Sequence, residues 1–155
     1  MKGMTVIVRT TASWVKILIF LFGINIVLFG HLTPGGGFAG GVILASSYIL
    51  LMLAFGREFA EKNLSLSLSS KLDCAGALLF AAVALVGLCY GGGLFFWNFI
   101  HQKYFPDTGN AITLYSAGII PLSNIAIGLK VGASLFMVIL ALSAFRPTES
   151  GDKKE

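Results

Sequence analysis

The chain has 155 residues, of which 56% are hydrophobic and only 12% charged, with a mean hydropathy of +0.86. Ordinary soluble domains carry about 25% charged residues, so this composition excludes a water-soluble enzyme and indicates a membrane protein. The net charge of +4 comes from basic residues placed at the ends of apolar runs, not from a patch of the kind that binds nucleic acid.

A helix that crosses the bilayer needs about 20 apolar residues, and the sequence offers four such runs. The first extends from Met4 to Phe29 with Arg9, Trp14 and Lys16 near its start. It is longer than the apolar core of a secretory signal, about 7 to 15 residues, and leads directly into a glycine cluster and a second run, so it is read as a retained helix.

The second run, Phe38 to Phe55, begins inside that cluster and stops at Gly56, a suitable helix end. Arg57 to Lys71 is the most polar internal segment and is expected to be a water-facing connection. The third run is Leu72 to Tyr90, closed by Gly91, Gly92 and Gly93. Asp73 then falls in its first turn, where a carboxylate complements the helix dipole, and a capping role is expected for it. Cys74 and Cys89 lie in this same run, ~22 Å apart along a helix, too far to bond to each other.

The long connection from Gly91 to Pro121 opens with Leu94 to Ile100, too short to span and too aromatic for an open loop. Trp and Tyr favour the headgroup region. This piece, with Tyr104 and Tyr115, is expected at the membrane interface or against a partner subunit. The fourth run, Leu122 to Phe145, is opened by Pro121 and closed by Arg146 and Pro147. The expected organisation is all-α: one four-helix transmembrane domain over residues 1–146 and a charged tail over 147–155.

Basic residues orient the whole. With both termini cytoplasmic, nine of them (Lys2, Arg9, Lys16, Arg57, Lys62, Lys71, Arg146, Lys153 and Lys154) lie inside and Lys103 alone lies outside, which satisfies the positive-inside rule. The eleventh, Lys130, lies within the fourth run. A charge there is costly unless it is paired, hydrated or deprotonated. Ser123, Ala126, Ala133, Ser134 and Ala141 share its helix face, while Asn124, Gly128 and Gly132 form a small-residue face on the opposite side, where a second helix can pack. Two readings stand for Lys130: snorkelling or structural pairing, and a place in a proton or cation path. The apolar runs contain no carboxylate placed to pair with it, so an ionic partner is expected from another subunit.

The glycine cluster spans Gly30, His31, Leu32, Thr33, Pro34, Gly35, Gly36, Gly37, Phe38, Ala39, Gly40 and Gly41. Part of it matches the letters of a dinucleotide fingerprint, but that motif requires a preceding strand in an α/β domain, and here an apolar helix precedes it. Gly36 with Gly40 and Gly37 with Gly41 are close-packing pairs. His31 is read either as a hydrogen-bonded structural residue or as a proton relay or metal ligand. No arrangement suggests a nucleophile, so catalytic residues, metal ligands and cofactors are expected to be absent from this chain.

This cluster resembles the G-H-x-x-P-G-G-G-F-x-G-G signature of the MnhB/MrpB family of small membrane subunits of multi-subunit cation/proton antiporters. Ser116 to Ala133, with its I-P-L-x-N-I-A-x-G-L-K pattern, is similar to the version found in antiporter-like modules of membrane-bound respiratory complexes of the hydrogenase, formate hydrogenlyase or sulfur reductase type. The resemblance implies a multi-pass, non-catalytic subunit in a prokaryotic cell membrane. Its partners would be the other small and large subunits, and its role sodium-ion/proton antiport within a respiratory complex. A stand-alone Mrp-type antiporter and a purely structural scaffold are the alternatives. Lys130 and His31 are the ionisable residues available to an ion path. Gly30, Pro34, Gly35, Gly36, Gly37, Phe38, Gly40, Gly41, Pro121, Asn124, Gly128 and Gly132 are the packing and signature positions.

Overall fold

A computed structural model describes residues 4–32, 34–90, 94–100 and 117–144. They form helices α1 (Val6–Leu28), α2 (Gly36–Phe55), α3 (Arg57–Asn63), α4 (Leu66–Tyr90) and α5 (Ile120–Leu142), with no strand among them. Four of these helices, α1, α2, α4 and α5, are long and apolar enough to cross a membrane. The chain is an all-α, multi-pass membrane protein. The residues of the 147–155 tail, with Tyr104, Tyr115 and the Gly91–Gly93 run, lie outside the described residues.

Two backbone devices reverse the chain between spans. Gly35 (φ 103°) and Gly36 (φ 54°) are left-handed where α2 begins, a conformation that side-chain-bearing residues rarely adopt. Gly56 (φ 97°) ends α2, with its N–H bonded to the Met52 carbonyl.

The segment from Arg57 to Lys71 is not an extended connection. Its first half is α3, whose fully buried Ala60 and whose flanking Leu64 join Met52, Phe136 and Leu140 in the core. Its second half is the start of α4, which begins six residues before the expected Leu72. Ser65 explains the difference. Its Oγ accepts the Leu68 N–H at 3.2 Å, satisfying one of the amides that an α-helix leaves unpaired at its start. The serine–leucine alternation that follows is therefore helical.

The main packing runs in the order α1, α2, α5, α4, so that α1 and α4 are the outer members of a row and α2 and α5 its centre, with a smaller contact between α1 and α5. The aromatic segment after α4 folds back on its own chain. Phe96 tilts against Phe80 with 5.1 Å between ring centroids, and Phe99 stacks on Tyr90 at 5.6 Å. Asn98 then ties this segment to the approach to α5, donating to the Ala117 carbonyl at 3.0 Å and accepting the Ile119 N–H at 3.2 Å. Pro121 occupies the first turn of α5, where its missing N–H costs nothing.

Candidate functional site

Two constellations bring together the residues that carry chemistry. The first is the glycine corner. The Gly37 N–H, one of the unpaired amides at the start of α2, donates to Asn124 Oδ1 at 3.2 Å. A Cβ on Gly37 would collide with the Asn124 backbone carbonyl, and one on Gly30 would lie 2.7 Å from Asn124 Nδ2 and 2.8 Å from the Gly36 Cα. The same contact continues down the helices. A Cβ on Gly40 would meet Val27 Cγ2 at 2.5 Å, one on Gly41 the Gly128 carbonyl at 2.8 Å, and one on Gly132 the Gly41 carbonyl at 3.3 Å.

The glycines of the cluster are close-packing positions within the chain's own fold. The backbone they receive is that of α1 and α5 of the same chain. Small residues allow this approach because, between apolar helices in lipid, close van der Waals contact replaces the hydrophobic effect as the source of stability. Phe38, by contrast, points away and is 63% exposed, Pro34 is exposed, and Pro121 is buried. His31 sits half-buried in the turn that precedes α2.

The second constellation lies between α4 and α5. Lys130 Nζ donates to Asp73 Oδ1 at 2.8 Å, and Ser134 Oγ donates to the same oxygen at 2.5 Å. This overturns two expectations about Asp73. Because α4 starts at Leu66, Asp73 lies two turns inside the helix instead of capping it. It is also the ionic partner of Lys130, which was expected from another subunit.

Gly76 makes the meeting possible. A Cβ there would lie 2.8 Å from the Ala126 carbonyl and the Lys130 nitrogen, so the two backbones touch at this level. Asp73, three residues earlier on the same face of α4, is carried onto Lys130 and onto Ser134, four residues further along α5. The Lys130 side chain thereby runs toward the C-terminal end of α5, opposite to the direction in which it would snorkel toward Pro121.

Lys130 is ten residues from Ile120 and twelve from Leu142, midway along α5, and Asp73 is seven residues from the start of α4. The pair is only partly covered, the side chains of Lys130 and Asp73 being 48% and 24% exposed. The arrangement offers a carboxylate with one oxygen engaged by an ammonium and a hydroxyl, on an open flank of the chain. His31, in the turn beside the Asn124 end of α5, is not brought to this site: Asn124 and Lys130 differ by ~9 Å of helix axis. Among the described residues no group of three or more His, Cys, Asp or Glu side chains could hold a metal ion.

Residues 7–137 match the family model described as a domain related to the MnhB subunit of Na+/H+ antiporter. The chain belongs to this family.

An MnhB-type relative in Staphylococcus haemolyticus, named as antiporter subunit mnhB2, is 33% identical over 151 residues, covering 92% of this chain and 97% of its own length. An uncharacterised protein of Methanocaldococcus jannaschii is 38% identical over 143 residues, 90% of this chain but 52% of its own length. Among solved structures, a chain of the membrane-bound sulfane sulfur reductase, an archaeal respiratory membrane complex, superposes with a TM-score of 0.70 at 29% identity, over 91% of this MnhB-type chain and 61% of the other. The MnhB-type region thus spans about half of the first of these archaeal proteins and under two thirds of the second, but nearly all of the bacterial one.

Proposed function

We propose that this MnhB-family chain is a non-catalytic membrane subunit of the sodium-ion/proton antiporter module of a multi-subunit complex. We place that module on a membrane-bound respiratory enzyme of the hydrogenase or sulfur reductase type, and the Asp73–Lys130–Ser134 cluster on its cation route. Both termini are then cytoplasmic, as the distribution of basic residues supports. The observation that carries the reading is the ion pair itself. Intramembrane charges are costly, and those that are kept face a bundle interior or a water path and mark ion pathways. Here Lys130 lies midway along its span, Asp73 two turns inside its own, and the pair is half open.

The test is sodium-dependent proton exchange in vesicles containing the whole complex. Lys130→Ala lowers exchange while every subunit remains present; normal exchange in a fully assembled mutant complex removes the cluster from the route.

The near full-length match to the staphylococcal relative favours a second reading, a stand-alone antiporter. Purification of the complex from native membranes separates the two. A nickel–iron or iron–sulfur protein accompanies the respiratory form and is absent from the stand-alone one.

A further inference from the structure

Lys16 does not lie at the entrance to the first span: it is ten residues from Val6 and twelve from Leu28, as central in α1 as Lys130 is in α5. It shares a helix face with buried Ala12, Gly23 and Val27, and this face is turned to α2. Its Nζ lies over the Tyr48 ring, 4.7 Å from the centroid, and Arg9, one heptad earlier, lies over Phe55, one heptad later than Tyr48, at 5.6 Å.

The two cations are not equally provided for. Arg9 is ~10 Å nearer the helix end and can reach the headgroup region. Lys16 is deeper, where a lysine is costly, while a π face repays only part of that cost and offers the ammonium no lone-pair acceptor. The carboxylates among the described residues do not make up the difference. Glu61 pairs with Arg57 at 3.8 Å, Asp73 with Lys130 at 2.8 Å, and Glu58 is exposed in the first turn of α3. Beside Tyr48, Phe20, Leu72 and Leu129 line a half-open cavity of about 180 Å³ between the two outer helices, with room for an entering side chain.

We infer that the Lys16 ammonium is neutralised by a glutamate or aspartate on a membrane helix of an adjoining subunit, which enters beside Tyr48. Charge complementarity selects this occupant: an apolar chain or a lipid tail fills the cavity without supplying the counter-charge. The inference does not depend on whether Asp73 and Lys130 carry ions.

The experiment uses the whole complex in native membranes, treated with dicyclohexylcarbodiimide. This reagent activates a carboxyl group in the apolar phase, an adjacent amine displaces the activating group as a urea, and an isopeptide amide results. Peptide mass spectrometry is expected to find Lys16 linked to an acidic residue in a span of a different subunit, with an Asp73–Lys130 link in the same digest as the control. Native gels of Lys16→Gln should show several-fold less intact complex, and Lys16→Arg should restore it. A Lys16 link to a carboxylate of its own chain overturns the inference. So does absence of any Lys16 link when the control link forms, or a Lys16→Gln complex as abundant as the wild type.

Discussion

Asp73 and Lys130, 57 residues apart in the sequence, meet at 2.8 Å inside the membrane span, and Ser134 holds the same carboxylate oxygen. Removing one member leaves the other as an unpaired charge, which is the expensive half of breaking an ion pair. Lys130→Leu and Asp73→Leu should each destabilise the chain by about 2–3 kcal/mol, below the 3–5 kcal/mol range of fully buried pairs because this one is half open. The double variant should recover most of that loss. The check is a double-mutant cycle on thermal stability in detergent; additive losses show that the pair is not coupled. Exchange activity should stay low in the double variant even where stability returns, which separates a transport role from a structural one.

The glycine corner makes a graded prediction. Gly37→Ala drives a Cβ into the Asn124 carbonyl, whereas at Gly132 the nearest atom, the Gly41 carbonyl, stands 3.3 Å from the new Cβ. Backbone cannot yield as a side chain can. Gly37→Ala should therefore cost roughly 1–3 kcal/mol, the usual range for overpacking, and Gly132→Ala well under half of that. Melting of the purified complex measures both, and equal losses would show that the corner does not have the close approach described.

Asn124 should matter through its side chain as well as its backbone. Asn124→Leu fills comparable space but leaves the buried Gly37 N–H without its acceptor, a loss of about 1–3 kcal/mol. Hydrogen exchange at the Gly37 amide, read by mass spectrometry of the α2 N-terminal peptide, should accelerate in this variant while peptides of α4 stay protected.

How far these arrangements could be read from the sequence differs from residue to residue. Four apolar runs separated by glycine and charge specify four spans, because the bilayer sets their length. The small-residue face of Asn124, Gly128 and Gly132 also indicates a close neighbour, but only the folded row of helices shows that the neighbour is α2. Asp73 was legible in principle. Ser65 followed by an uninterrupted leucine pattern is a helix-start signal, and placing the start there moves Asp73 from the cap into the span. A positive-inside count that assigns Lys16 to the entrance hides its depth, which depends on where α1 begins. Its seat on Tyr48 depends on the register between two antiparallel helices, and no local signal in either run encodes that register.

Gly76 offers a way to perturb the ion pair without altering a charge. A Cβ there meets the Ala126 carbonyl and the Lys130 nitrogen at 2.8 Å and Lys130 Cβ at 2.9 Å, and two of these three atoms are backbone. Gly76→Ala must therefore push α4 away from α5 by several tenths of an ångström, and Asp73, one turn away on the same face, moves with it. Hydrogen bonds between charged groups are short and depend on geometry, so the link to Lys130 and Ser134 should weaken although all three residues remain. If the cluster lies on the cation route, Gly76→Ala should reduce sodium-dependent proton exchange toward the level of Asp73→Asn. Subunit content on native gels should remain normal, because α1, α2 and the glycine corner are untouched. Gly76→Ser, with similar bulk, should behave alike, and Gly87→Ala, on the same helix but packed against Trp97 and Phe96, should leave exchange unchanged. Equal loss of exchange in all three variants would mean that α4 acts through its general packing, and the geometry around Asp73 would then carry no special weight.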